Sequence, residues 1–324
     1  MASDWSYTYA VARIRVLETR LLTNNDVSAM TALKSADAVV TFLKDKGWGD
    51  SSDGNEPERI FALEEQKTWA LMKELGVDFS VFDVLSLPNI YHNLKAGVKE
   101  VCTSSSNEKA FFADDRFGRE NMLKILSEKD WTALPAHMRK AAEEALENML
   151  HTRDGQLSDV IVDRACLDAI EAAGRASRDD VIRDYAGSQV AVTDIKIAVR
   201  AAKTRKSLDF LLRALAPCSS FDVKALAQAA FQGEDSLLDF LSSSGFREAA
   251  EALKVSPSVF ERWCDNRMIE TIRPQKYETA SVGPLVAYLL ARENEIKTAR
   301  IIITGKINGL TDEAIRERTR EMYV

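Results

Sequence analysis

Apolar residues in this chain recur three and four positions apart, the spacing that lines one side of an α-helix. Val11, Ile14, Leu17, Leu21 and Leu22 predict a helix over the first thirty residues, broken by the polar stretch "TNNDVS" at 23–28. Leu33, Val39, Val40 and Phe42 predict a second helix, ending before "GWGDSSDGNEPE", where Gly, Ser, Asp and Pro mark a loop. Pro57 suits the first turn of a third helix, which carries Ile60, Leu63, Trp69 and Leu75. Further breaks fall at "CTSSSNE" (102–108), "APCSS" (216–220) and "SSSGF" (242–246). Near the end, a helix starting around Pro284 runs through Leu290, Ile296 and Ile303. It is expected to stop at Gly305, where a residue without a Cβ can take the left-handed conformation that ends helices. A last helix restarts at Thr311 as N-cap, with Asp312 and Glu313 where the helix dipole favours negative charge. Few prolines and glycines, and long stretches rich in Ala, Leu, Glu, Lys and Arg, complete an all-α expectation.

Two of the breaks lie near thirds of the chain, and three segments match in register: "NLKAGVK" (93–99), "DIKIAVR" (194–200) and "TARIIIT" (298–304). The second position is apolar each time. The third is cationic (Lys95, Lys196, Arg300) and the sixth β-branched (Val98, Val199, Ile303). The offsets are 101 residues from Lys95 to Lys196 and 104 from Lys196 to Arg300. The expected organisation is therefore three related helical lobes, 1–110, 111–215 and 216–324, each large enough for its own core. Lys95, Lys196 and Arg300 are the candidate partner-interface residues, lining a shared surface. Salt bridges within each lobe are the other reading of the same cations.

Candidate chemistry adds little. The "TGK" at 304–306 fails as a phosphate loop: six positions before Lys306 stands Arg300 rather than Gly, and Ile307 replaces the hydroxyl that would hold magnesium. His92, His137 and His151 have no second histidine at helical spacing, and Cys102, Cys166, Cys218 and Cys264 form no C-x-x-C pair. His92 reads as a satisfied helix histidine. No G-x-S-x-G, G-x-G-x-x-G or calcium-loop pattern occurs, so no catalytic group, cofactor or metal is expected. The 324 residues carry a formal charge of −7, which argues against a generally basic nucleic-acid binder. "RAAKTRK" (200–206) reads as a solvated helix face or a local patch. Widely spaced cysteines, no signal-like start and no apolar run of about twenty residues predict a cytoplasmic protein that does not span a membrane. A role in holding other proteins leads, and a cytoplasmic helical-repeat scaffold is one form of it.

The C-terminal stretch "ENEIKTARIIITGKINGLTDEAIRERTREMYV" resembles the end of the C-type subunits of bacterial and archaeal V/A-type ATP synthases, a family related to the d-type subunits of eukaryotic vacuolar ATPases. The likeness rests on Glu293, Glu295, Ala299, Arg300, Ile301 to Ile303, Thr304 to Lys306, Ile315, Arg316, Arg318 and Tyr323. Weaker echoes lie in "YAVARIRVLETRLL" (9–22), "IYHNLKAGVK" (90–99) and "VTDIKIAVRAAKTRKS" (192–207). The chain departs from the family at Thr298 and Ala299, where Asn and Ile are commoner, and at Gly97, where an aliphatic is usual. The resemblance implies a non-catalytic rotor subunit: three similar lobes about a pseudo-threefold axis, forming a socket on the membrane rotor ring into which stalk subunits D and F insert. It places such a protein on the cytoplasmic face of the membrane, held there through the ring.

Overall fold

The computed structural model describes residues 4–50, 54–103 and 106–324. Among these the regular structure is helical, with no strand: α1 (Asp4–Glu18), α2 (Asn24–Ala32), α3 (Ala36–Asp45), α4 (Pro57–Glu74), α5 (Asp83–Thr103), α6 (Arg119–Glu128), α7 (Ala136–Thr152), α8 (Gly155–Ala176), α9 (Asp180–Lys203), α10 (Leu208–Ala214), α11 (Val223–Gln232), α12 (Glu234–Ser243), α13 (Arg247–Val255), α14 (Pro257–Ile272), α15 (Gly283–Ile307) and α16 (Asp312–Arg316), with short 3₁₀ turns between some of them. The all-α expectation holds.

The chain packs as two compact units. The first comprises Met1–Val81, Asp179–Tyr185 and Gly245–Val324; the second comprises Phe82–Arg178 and Ala186–Ser244. The first unit is organised around α15, seventeen of whose 25 residues are buried. A helix buried over most of its surface, with Lys297 and Arg300 left at its exposed edge, becomes a core element. Helices α1, α2, α3, α4, α14 and α16 pack on it. Its Ile296, Ala299, Ile302 and Ile303 join Met30, Val39, Leu43, Ile60 and Phe61 in one apolar cluster. In the second unit α5 packs against α6, α7 and α8, and α7 lies along α8. There Ala141, Ala142 and Ala145 are buried, small side chains that let helices approach closely. A Cβ on Gly97 of α5 would stand 2.7 Å from Leu126 Cδ1 and 3.0 Å from Met122 Cγ, so α6 occupies the room that an aliphatic at 97 would take.

Local signals explain several boundaries. Pro57 starts α4, and Thr311 caps α16 by accepting the amide of Ala314. Three boundaries differ from expectation. The first thirty residues form two helices rather than one. "TNNDVS" is not simply a break: Thr23 and Asp26 form a capping box, and the polar run opens α2. The expected second helix is likewise split, because Leu33 turns extended (ψ 148°) and Ser35 caps α3. Gly305 does not end α15. The helix continues to Ile307, and the left-handed residue is Gly309 at φ 67°. Gly305 instead makes room for α16: a Cβ there would lie 2.6 Å from Ile315 Cγ1.

Candidate functional site

The three candidate cations sit on the long helices α5, α9 and α15, and each already has company. Lys95 Nζ lies 2.6 Å from Asp163 of α8 and is about one quarter exposed. Arg300 pairs with Glu58 of α4 at 3.0 Å and covers the Phe61 ring at 5.0 Å from its centroid. Lys196 is engaged with a neighbour too. Lys95 and Lys196 belong to the second unit and Arg300 to the first.

The segments that carry these cations share a burial pattern. Positions one, two, five and six are buried in all three, position four is half-buried and position seven exposed. Position one is polar and completely buried each time, as Asn93, Asp194 and Thr298. Burying a polar group costs free energy unless it is hydrogen-bonded, so these residues need partners. Asn93 has them: its Nδ2 donates to the carbonyls of Phe112 (2.9 Å) and Phe117 (3.0 Å), and its Oδ1 accepts the Phe112 amide at 2.8 Å. It thereby holds the chain that follows α5 against that helix.

Asp194 does similar work with half the means. Its Oδ1 accepts the Ala216 amide at 3.0 Å, while among the described residues its Oδ2 has no partner. Burial pushes its carboxyl up to about 7, opposed by the Ala216 amide and the charge of Arg164. Thr298 Oγ1 has no partner among the described residues. One helical turn earlier, Asn294 takes up the task by donating to the Glu321 carbonyl at 2.8 Å. That amide stitches down the C-terminal segment.

A feature that spacing did not show is a buried charge cluster. Arg292 of α15 pairs at 2.5 Å with both Glu64 of α4 and Glu295 one turn along its own helix. Its guanidinium covers the Trp48 ring at 4.7 Å. Glu295 also accepts the Leu22 amide, and Glu64 accepts the Gly49 amide at 2.9 Å and the Lys67 ammonium at 2.8 Å. One arginine thus ties α15, α4, the turn before α2 and the loop after α3. Burial pushes Glu295 up to about 7 against the pull of Arg292. Burial, with the nearby charge of Glu65, pushes Glu293 up to about 8. The sequence signal was present in "ARENEIKTAR", five charged residues in the middle of a largely buried helix, but which of them turn inward depends on the partners on α4.

The remaining chemistry-bearing groups are structurally occupied. His92 Nε2 lies 2.9 Å from the Ala110 carbonyl and edges onto Phe112, a satisfied histidine. His137 Nδ1 is 2.9 Å from the Tyr91 hydroxyl, and burial lowers its pKa. The four cysteines are free thiols, with Cys166 pushed up to about 12 by burial and so far from a reactive thiolate. Among the described residues no group of three or more His, Cys, Asp or Glu is placed to hold a metal ion, and no helix is long and apolar enough to cross a membrane.

The sequence profile of the ATP synthase (C/AC39) subunit matches residues 10–318, nearly the whole chain. The chain belongs to this family. It is 22% identical over 275 residues to the C-type subunit of the V-type sodium ATPase of Enterococcus hirae, an alignment covering 82% of each chain. It is 21% identical to the C-type subunit of the A-type ATP synthase of Methanocaldococcus jannaschii, covering 96% of this chain and 85% of the relative. A shorter likeness, 27% over 147 residues, links it to the corresponding A-type ATP synthase subunit of Haloquadratum walsbyi, covering 42% and 41% of the two chains. The protein is a non-catalytic subunit of a rotary ATPase and works in a complex with other subunits.

Proposed function

We propose that this protein is a socket in the central rotor, joining the D–F shaft to the membrane ring on its cytoplasmic face so that torque passes between ATP chemistry and ion translocation. The observation that carries the proposal is the family match over residues 10–318 in a chain whose central helix α15 is cross-braced by buried ion pairs. Torque transfer needs a body that does not shear, and close-packed helices have low compressibility. The shared burial pattern of the segments at 93–99, 194–200 and 298–304 supports three similar lobes, 1–110, 111–215 and 216–324, as the architecture of that socket.

Lys95, Lys196 and Arg300 are proposed as secondary interface positions, since long cationic side chains half in solvent can exchange a local partner for one on another subunit. Replacing each by Glu, and measuring D–F affinity separately from thermal stability, distinguishes an interface role from a purely internal one. The socket itself is tested by mixing the purified chain with a D–F pair. A stable complex at micromolar protein, with no ATP turnover by the chain alone, is expected. Absence of any complex at that concentration overturns the proposal.

A further inference from the structure

The basic run at 200–206 reads from sequence as a solvated helix face or a local patch, and its surroundings in the second unit decide for the patch. Arg200 and Lys203 lie in the last turn of α9, and Arg205 and Lys206 follow it. The helix dipole favours a cation at a C-terminal end, which accounts for one such charge rather than four in seven residues. Lys206 Nζ donates to Gln156 Oε1 at 2.8 Å, bringing the end of α9 to the turn between α7 and α8. Arg153 stands in that turn, three residues before Gln156. Arg153 and Arg205 are both left-handed, at φ 55° and 50°, where a helix end usually has glycine.

The patch is not neutralised from within. Arg153, Arg200, Lys203 and Arg205 are exposed and form no ion pair among the described residues, and Lys206 meets the neutral Gln156. Acidic side chains of the neighbouring segments are already paired: Asp159 with Lys99, Asp163 with Lys95 and Asp209 with Arg213. Two carboxylates remain, Asp154 and Glu147. Asp154 caps α8 by accepting the Leu157 amide at 2.9 Å, and Glu147 lies roughly 9 Å back along α7 from Arg153. Five cations against these two leave the patch positive in a chain whose formal charge is −7.

Exposure selects the partner. Four of the five cations stand in water, where a single ion pair gains little, so a lone phosphate has no dry cradle here. What they offer is a summed field, which a continuous negative surface meets all at once. Single-stranded nucleic acid stacks on bare aromatic faces, and the ring at hand, Phe210, is half-buried with Lys206 Nζ over it at 5.4 Å. Leu150, three residues before Arg153 in the last turn of α7, is 51% exposed, an apolar side chain beside the cations. Clustered cations with an exposed leucine match an anionic bilayer surface. We propose that Arg153, Arg200, Lys203, Arg205 and Lys206 form a contact site for the headgroups of anionic lipids, with Leu150 entering the interface. The choice of a membrane rests on the reading of the chain as a subunit held at the membrane face.

Flotation of the purified chain with lipid vesicles tests the site. Vesicles of phosphatidylcholine with about 30% phosphatidylglycerol should bind the chain about tenfold or more tightly than phosphatidylcholine alone, and raising salt from about 50 to about 300 mM should abolish the difference. The acidic chain as a whole is repelled by such vesicles, so binding reports the patch. Arg153→Glu with Lys203→Glu and Arg205→Glu should reduce binding to the level of neutral vesicles while the chain stays folded by circular dichroism. Each single reversal should weaken it by about fivefold or more, which serves should the triple variant fail to fold, and Lys203→Arg should keep it. Equal binding to both kinds of vesicle, or unaltered affinity of the reversed variants, overturns the proposal. In the assembled complex a photocrosslinking amino acid in place of Leu150 should capture lipid. A complex that yields no lipid product, or that captures an acidic segment of another subunit, also overturns it. A chain that joins a D–F pair yet ignores anionic vesicles loses this inference alone, and one that binds the vesicles but no D–F pair loses the socket.

Discussion

On α15 of the first unit, Arg292 and Glu295 are buried beside Glu64 and hold three other segments through charge. On α5 and α9 of the second unit, the buried polar groups Asn93 and Asp194 hold one following segment each, by neutral or proton-bearing hydrogen bonds. Both devices anchor loops to a long helix, but they fail differently. A buried ion pair gives little net stability against an apolar replacement, yet loss of one member strands the other in a medium that cannot solvate it. A neutral amide loses only the hydrogen bonds it made. The first unit therefore has a brittle centre and the second a graded one.

The largest expected effect breaks the ionic side of that comparison. Arg292→Met leaves Glu64 and Glu295 buried without their cation and should cost about 3–5 kcal/mol in urea denaturation. Combining it with Glu64→Gln and Glu295→Gln should recover most of the loss, because no charge is then stranded. A loss under about 1 kcal/mol for the single variant would show that the cluster is solvated and that the contrast between units is wrong.

Asn93→Leu is next. It removes three hydrogen bonds and leaves the Phe112 amide and the Phe112 and Phe117 carbonyls unpaired, for about 2–3 kcal/mol. Faster hydrogen exchange at the Phe112 amide is the local readout. Exchange as slow as in the parent chain would mean that other contacts hold this segment.

Asp194 sharpens the comparison through pH. Its pKa is raised from 3.8 to about 7 on folding, so between those values the folded chain binds more protons than the unfolded one. Its contribution therefore falls as pH rises through that window. Asp194→Asn keeps the side-chain shape and removes the titration. The variant should gain on the parent between pH 5 and pH 8, by on the order of 2 kcal/mol at the upper end. Parallel pH profiles for the two proteins would show that Asp194 keeps an ordinary carboxylate pKa.

The smallest effects test two close approaches. Gly305→Ala drives a Cβ against Ile315 Cγ1, near the backbone of α16, and should cost about 1 kcal/mol despite the better helix propensity of alanine. Gly97→Ala meets mainly Leu126 Cδ1, the free end of a flexible side chain, and should be nearly neutral. Thermal midpoints of the two variants give the order, and equal shifts would remove the distinction.

Much of the candidate site was legible at the level of segments. The three-segment match located positions where burial repeats at six of seven places, down to a buried polar residue at position one. It drew attention to the cations at position three, whereas the deeper polar work is done at Asn93, Asp194 and Asn294. A cation is conspicuous in a string of letters. A single Asn or Thr beside leucine and lysine is not, because only the carbonyl it meets some twenty residues later gives it a role. Arg292 was hidden for the opposite reason: charged residues on helices mostly face water, and only contact with Glu64, far away in the chain, turns this one inward.

The sequence by itself determined what depends on near neighbours and composition: an all-α chain, the family, the proline start of α4 and the Thr311 cap. These follow from dihedral preferences and hydrogen bonds that span a few residues. Only the tertiary structure decided that Gly305 lies inside α15 to admit Ile315, that Gly309 ends the helix, and that Arg292 is a core residue. Each of those outcomes is set by an atom brought close through packing of a distant segment, and the free energy of that approach has no counterpart in the local chain.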